Sequence, residues 1–199
     1  MSVYRVLILA LVVGSVQAWM DESNFATIQD GRPITPNFNP VILNNNPRKR
    51  GVKVNDAYAA LYMNDQRNIY FGQATVERDG RICALFKTDD GIDSRCSNFR
   101  VLQRSAKHHE FLSLKPENFD PRQYTTVDYV DGRTKKALIL MYEEDTDSSF
   151  FGTLVTGDNQ EPIAYGINYD KAPVEARGAQ ATSGDYILYV VSHSVNFKL

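Results

Sequence analysis

Several things are scarce in this sequence. Only 2 of its 199 residues are cysteine, 3 are histidine and 1 is tryptophan. No Asn-x-Ser/Thr triplet occurs, so N-glycosylation is not expected. Lys and Arg number 22 against 24 Asp and Glu, a formal net charge of −2. Nucleic-acid binding needs clustered cations to neutralise phosphates. Here the one basic run is Pro47-Arg48-Lys49-Arg50, so no nucleic-acid partner is expected. No Gly-x-Ser-x-Gly elbow marks a serine nucleophile. His108 and His109 are adjacent, and on an extended segment they would point to opposite sides, which makes a poor chelate. The acidic runs Glu143–Asp147 and Lys87–Asp93 lack the spacing of a calcium loop. No metal, cofactor or catalytic residue is therefore assigned, and the chain reads as a non-enzyme.

Long apolar runs are scarce as well. The one at the start, Val6–Val13, follows Arg5 and precedes the small residues around Ala18. It is far shorter than the roughly 20 residues that span a bilayer. That pattern predicts a secretory signal peptide over residues 1–18, and so an extracellular protein with no membrane anchor after cleavage. Export through an oxidising compartment favours pairing Cys83 with Cys96 as a disulfide. Residues 19–50 are rich in Asn, Pro and Asp, which oppose regular structure. An extended or poorly ordered segment is expected there, with Val41-Ile42-Leu43 able to add an edge strand. Arg48-Lys49-Arg50 reads as a solvated basic loop; a processing site is the sharper alternative.

What the sequence does have is β patterning over residues 51–199. Apolar and aromatic runs such as Ala57–Asn64, Asn68–Glu77 and Arg81–Lys87 alternate or cluster between turn signals, among them Asp79-Gly80. Residues 105–124 carry Pro116 and Pro121, so any helix is limited to Ser105–Leu114 and the stretch reads as a linker. No window shows a sustained period of 3.6. The fold class predicted is all-β, one compact sandwich or barrel.

One unit is written twice. "LYMNDQRNIYFGQATVERDGRICALF" precedes "SNFRVL", and "LILMYEEDTDSSFFGTLVTGDNQEPIAYGI" precedes "GDYILYVV". Each has an apolar strand, a polar turn, an aromatic-Phe-Gly step and an alternating strand. The two steps, Phe71-Gly72 and Phe151-Gly152, lie eighty positions apart. This predicts two pseudo-equivalent antiparallel units, over 51–104 and 125–195, burying their apolar faces on each other. A glycine inside a strand marks a bulge or a close backbone approach.

The stretch "IYFGQATVERDGRICALF…SNFRVL" resembles a DM9 repeat, whose units combine an aromatic–x–Gly strand start, a glycine turn and a closing apolar strand. The resemblance spans about Asn46 to Val191 and implies a β fold, with binding of mannose-type sugars in some members. The chain departs from that pattern after the turns. Ile82-Cys83-Ala84 and Pro162-Ile163-Ala164 replace a Pro-Gly-Lys step, and Asp89-Asp90-Gly91 stands nearest to a Gly-Gly loop. No binding residue is carried over from the family.

Loops on a rigid scaffold commonly carry function. The equivalent turns at 64–67 and 143–145 therefore give the candidate ligand-binding residues: Tyr62, Asp65, Arg67, Tyr70, Tyr142, Glu144 and Asp145. Rings would stack on a sugar and carboxylates would accept its hydroxyls; the plainer reading places the rings in the core. The expectation is a secreted recognition protein, lectin-like, with glycans as partners. Alternatives are an extracellular carrier of a small apolar ligand in a β-barrel, and a structural matrix protein.

Overall fold

The structure is a computed structural model describing residues 24–41, 57–104, 110–131, 133–143 and 148–193. The expected leader, the Arg48-Lys49-Arg50 run, His108 and His109 lie outside these residues. The described residues form fifteen strands and two 3-10 turns.

The first sheet has seven strands. They are β1 (Phe25–Gln29), β2 (Arg32–Pro33), β3 (Tyr58–Met63), β4 (Ile69–Val76), β5 (Ile82–Thr88), β6 (Gly91–Arg95) and β7 (Phe99–Leu102). Their order across the sheet is β2-β1-β7-β3-β4-β5-β6. The second sheet has eight: β8 (Phe111–Leu114), β9 (Tyr124–Thr126), β10 (Asp128–Asp131), β11 (Thr134–Glu143), β12 (Ser148–Gly157), β13 (Gln160–Ile167), β14 (Pro173–Arg177) and β15 (Ile187–His193). The order is β14-β13-β12-β11-β15-β8, with β10 also on β11 and β9 also on β15. All pairings are antiparallel, which gives an all-β sandwich.

The sequence β7-β3-β4-β5-β6 in one sheet is matched by β15-β11-β12-β13-β14 in the other. Register matches too. Leu61 faces Phe71 across β3 and β4, as Leu140 faces Phe151 across β11 and β12. These four side chains belong to the core between the sheets, with Phe25, Ile69, Leu102, Leu138, Leu188 and Val190. Phe71 and Phe151 are 1% and 0% exposed, and each contributes roughly 2–3 kcal/mol by leaving water. The opposite face of each sheet has its own cluster, in which small residues recur: Ala60, Ala74 and Ala84 in the first, Ala137, Ala164 and Ala176 in the second.

The structure places the two Phe-Gly steps at matching forks. β4 pairs with β5 only from Gln73 onward, and β12 pairs with β13 only from Gly152 onward. A Cβ on Gly72 would lie 2.2 Å from the Leu85 carbonyl oxygen, and one on Gly152 2.4 Å from that of Tyr165. Both glycines let a neighbouring backbone cross at contact distance where the strands part. The groups freed there turn to the other sheet. Phe71 donates its N–H to Thr153 Oγ1 at 3.0 Å, and that hydroxyl donates to the Phe71 carbonyl at 3.1 Å. Gln73 Nε2 donates to the Ile167 carbonyl at 3.1 Å.

Two expectations need correction. Residues 19–50 are not all outside the sheets, because β1 lies inside the first sheet between β2 and β7. Ala26 and Ile28 are fully buried: the apolar alternation of Phe25–Ile28 outweighs the Asn and Pro around it. Val41 is buried and bonds Leu102 without forming a strand, and Ile42 and Leu43 lie outside the described residues. The helix allowed over Ser105–Leu114 is not formed at its described end. Phe111–Leu114 is strand β8 on β15, with Phe111 and Ser113 buried in alternation. The helical turn comes later, at Pro116–Asn118.

Candidate functional site

The residues singled out from the sequence fall into separate places. Tyr62 and Tyr70 stand opposite each other on β3 and β4, rings 6.2 Å apart and near parallel. The Arg95 guanidinium lies 3.7 Å over the Tyr62 ring. It also donates to the Tyr62 hydroxyl at 2.7 Å, and Asp93 holds its Nε at 2.7 Å. Tyr70 is 2% exposed and donates its hydroxyl to Asp89 Oδ2 at 2.8 Å. Burial first, then the Asp89 carboxylate, push the Tyr70 phenol up to about 12. Lys136 Nζ sits 4.9 Å over its ring. Tyr70 is thus buried between contacts from both halves, and Tyr62 is half-buried against Tyr70 and Arg95.

Asp65 and Arg67 are exposed in the turn before β4. Arg67 has a left-handed backbone with φ of 65°. Tyr142 is half-buried near the far end of β11, where its N–H bonds the Tyr186 carbonyl. Arg67 shares a hollow with Thr134 and Lys136, near the start of β11. Six residues of strand separate Lys136 from Tyr142, roughly 20 Å. Arg67 and Tyr142 therefore lie near different ends of β11. Glu144 and Asp145 lie outside the described residues. Cys83 and Cys96 are bonded to each other.

A different set of residues converges where the halves meet. Beyond the fork, the end of β5 carries Lys87 and Thr88, and its turn carries Asp89. These face Ile163 and Tyr165 of β13 and Glu175 and Arg177 of β14 across an open cleft of about 270 Å³. Tyr165 stands opposite Glu175 in the β13–β14 pair. Its phenol is pushed up to about 12, mainly by burial, with the carboxylates of Asp89 and Glu175 adding to the rise and a hydrogen bond to Thr153 opposing it. It is therefore neutral at physiological pH. Arg177 Nε holds Glu175 at 2.5 Å, and Lys87 Nζ donates to the Thr88 carbonyl at 2.9 Å.

The cleft thus presents two carboxylates, two cations and a neutral phenol on a half-buried tyrosine. Such groups can hold and orient a polar ligand through charge-assisted hydrogen bonds. None of its side chains is a thiol or histidine. Among the described residues, no group of three or more His, Cys, Asp or Glu is placed to hold a metal ion, and no helix is long and apolar enough to cross a membrane. The sequence reading named Lys87–Asp93 only as an acidic turn and passed over Tyr165. The available signals were the alternation of Glu175 and Arg177 on an edge strand and the aromatic-Gly pair Tyr165-Gly166 on its neighbour.

No protein-family model matches the chain, and no curated protein does. Among solved structures it is similar to the crystal structure of the nematode sperm cell motility protein MFP2B. The TM-score is 0.61 at 14% sequence identity, covering 87% of this chain and 47% of that one. The chain spans about half the length of that protein. At this identity the likeness speaks to the β fold alone.

Proposed function

We propose that this is a secreted, non-enzymatic recognition protein built by duplication of one β unit, and that the cleft between its halves binds a hydroxyl-rich ligand of the carbohydrate class. The observation that carries the reading is the cleft itself, in which Tyr165 stands among Lys87, Asp89, Glu175 and Arg177. Acceptors and donors alternate over a short distance there, as vicinal hydroxyls require, and the near-balanced charge favours a neutral ligand. The matched strand orders and forks support duplication. The Cys83–Cys96 bond is compatible with an extracellular protein. The DM9 resemblance points to the same ligand class.

A glycan array followed by calorimetry tests the reading. The intact protein is expected to retain a defined subset of glycans. Lys87→Ala and Glu175→Gln are each expected to weaken binding about tenfold or more, because one charged hydrogen bond is worth about 1.5–3 kcal/mol. An array without signal, or binding untouched by both changes, would overturn it. Secretion is checked separately by intact mass of protein from culture medium: residues 1–18 should be missing and the two thiols oxidised.

A further inference from the structure

One edge of the second sheet is self-complementary. β14 ends that sheet, bonded to β13 and to no further strand among the described residues. Its hydrogen-bonding phase is fixed at both ends. Asn168 donates its N–H to the Ala172 carbonyl at 3.0 Å, and Gly178 donates to the Pro162 carbonyl at 2.9 Å. Between them, register pairs Gly166 with Val174 and Ala164 with Ala176. In an antiparallel ladder alternate residues turn their N–H and C=O to the same neighbour. The even-numbered residues of β14 therefore bond β13, and Glu175 and Arg177 turn their backbone groups to the open edge. Both side chains are exposed, 43% for Glu175 and 58% for Arg177.

Charges on an edge strand commonly keep other strands away. On β14 they have opposite signs at alternate positions, which has the reverse effect. Consider β14 laid antiparallel to β14 of a second copy, about a two-fold axis at Ala176. Glu175 then stands opposite Arg177 of the second copy, and Arg177 opposite that copy's Glu175. Each of these pairs has its backbone groups facing the edge, so each exchanges N–H···O bonds. Each also sets opposite charges across the strands, a favourable pair. A slip of two residues either way sets Glu175 against Glu175 or Arg177 against Arg177, so charge fixes the register. Pro173 has no N–H to give, and Ala179 has a helical backbone, which confines the pairing to this centre. We infer that β14 is a self-association edge, through which two copies of this chain join their second sheets into one. Glu175 and Arg177 project from the face that carries Tyr165, so the two clefts come to lie side by side on one surface. The pairing needs no ligand and does not depend on what the clefts bind. An edge of 5 residues is small against the roughly 1,200 Å² of a stable interface, so the dimer is a weak, concentration-dependent one.

The test is sedimentation of the intact protein, without ligand, from about 10 µM to about 1 mM, with amide exchange followed by NMR at both ends of that range. The average mass is expected to rise toward that of a dimer and to stop there. The Glu175 and Arg177 amides should exchange freely when dilute and slow with concentration, while those of Val174 and Ala176 stay protected throughout. Glu175→Arg and Arg177→Glu each turn both attractive pairs into repulsive ones, and each should weaken self-association about tenfold or more. Mixing the two variants should restore the association of the parent, because the reversed charges then match across the edge; a folding defect would not be rescued in this way. The inference is overturned if the protein stays monomeric over the whole range, or if assembly continues past two copies. It is also overturned if the Glu175 and Arg177 amides are already protected when dilute, if both variants associate like the parent, or if their mixture associates no better than either alone.

Discussion

The two halves share a strand order and differ in how each grips the other. In the first, Gln73 follows the fork glycine and sends one bond to Ile167, while its Oε1 is buried without a partner. In the second, Thr153 takes the equivalent place and both accepts from and donates to Phe71. The short hydroxyl meets both freed backbone groups of one residue, and the longer amide meets a single carbonyl further along. The fork sets where the halves join, and the residue after the glycine sets how firmly. Only the first half carries a disulfide. Its Tyr62–Tyr70 pair also stands where the second half has Met141 opposite Phe150. Equivalent backbone positions thus carry different side chains, so a site on one half need not have a twin on the other.

The largest expected effect comes from the glycines. Gly72→Ala and Gly152→Ala each drive a methyl into a carbonyl oxygen, and each should cost about 4 kcal/mol or more. Denaturant unfolding that showed loss at one site and not the other would break the comparison. Next is Thr153→Val, which leaves the Phe71 N–H and carbonyl buried without partners. A loss of about 2–4 kcal/mol is expected, against a smaller one for Gln73→Leu, which removes one bond and an unmet oxygen together. Reducing the Cys83–Cys96 bond should cost the first half about 3 kcal/mol in the chain-entropy model.

Alkali sharpens the picture further. Tyr70 and Tyr165 both titrate near 12 in the folded protein, above the ordinary value of 10.0. Because the folded state holds these protons more tightly, the associated stability is fully present below pH 10. It is lost as pH rises from there through 12, on the order of 2 kcal/mol per group. Melting followed from pH 9 to 12 should show that decline, reduced in Tyr165→Phe. The smallest effect is Asp65→Ala, expected within about 0.5 kcal/mol at its exposed turn.

Much of the fold was legible. Alternation and turn dipeptides located most strands, and the repeated aromatic-Phe-Gly step suggested two related units. Two things were not. The alternation of Phe25–Ile28 was masked by Asn and Pro nearby, because composition averages over a window while pairing with β7 acts on individual residues. Nor does strand pattern say how far apart the candidate residues lie: Arg67 shares a hollow with the start of β11, whereas Tyr142 stands near the end of that strand. Tyr62 and Tyr70 illustrate the cost: both are polar-tipped rings beside a turn, yet Arg95 and Asp89 of neighbouring segments absorb them.

The most direct measurement is native-state hydrogen exchange at the Phe71 amide. If Thr153 joins the halves across the fork, that N–H exchanges only through global unfolding, with the same free energy as the amides in the middle of β12. Exchange faster by several orders of magnitude, with β12 still protected, would show the halves opening independently and would contradict the account.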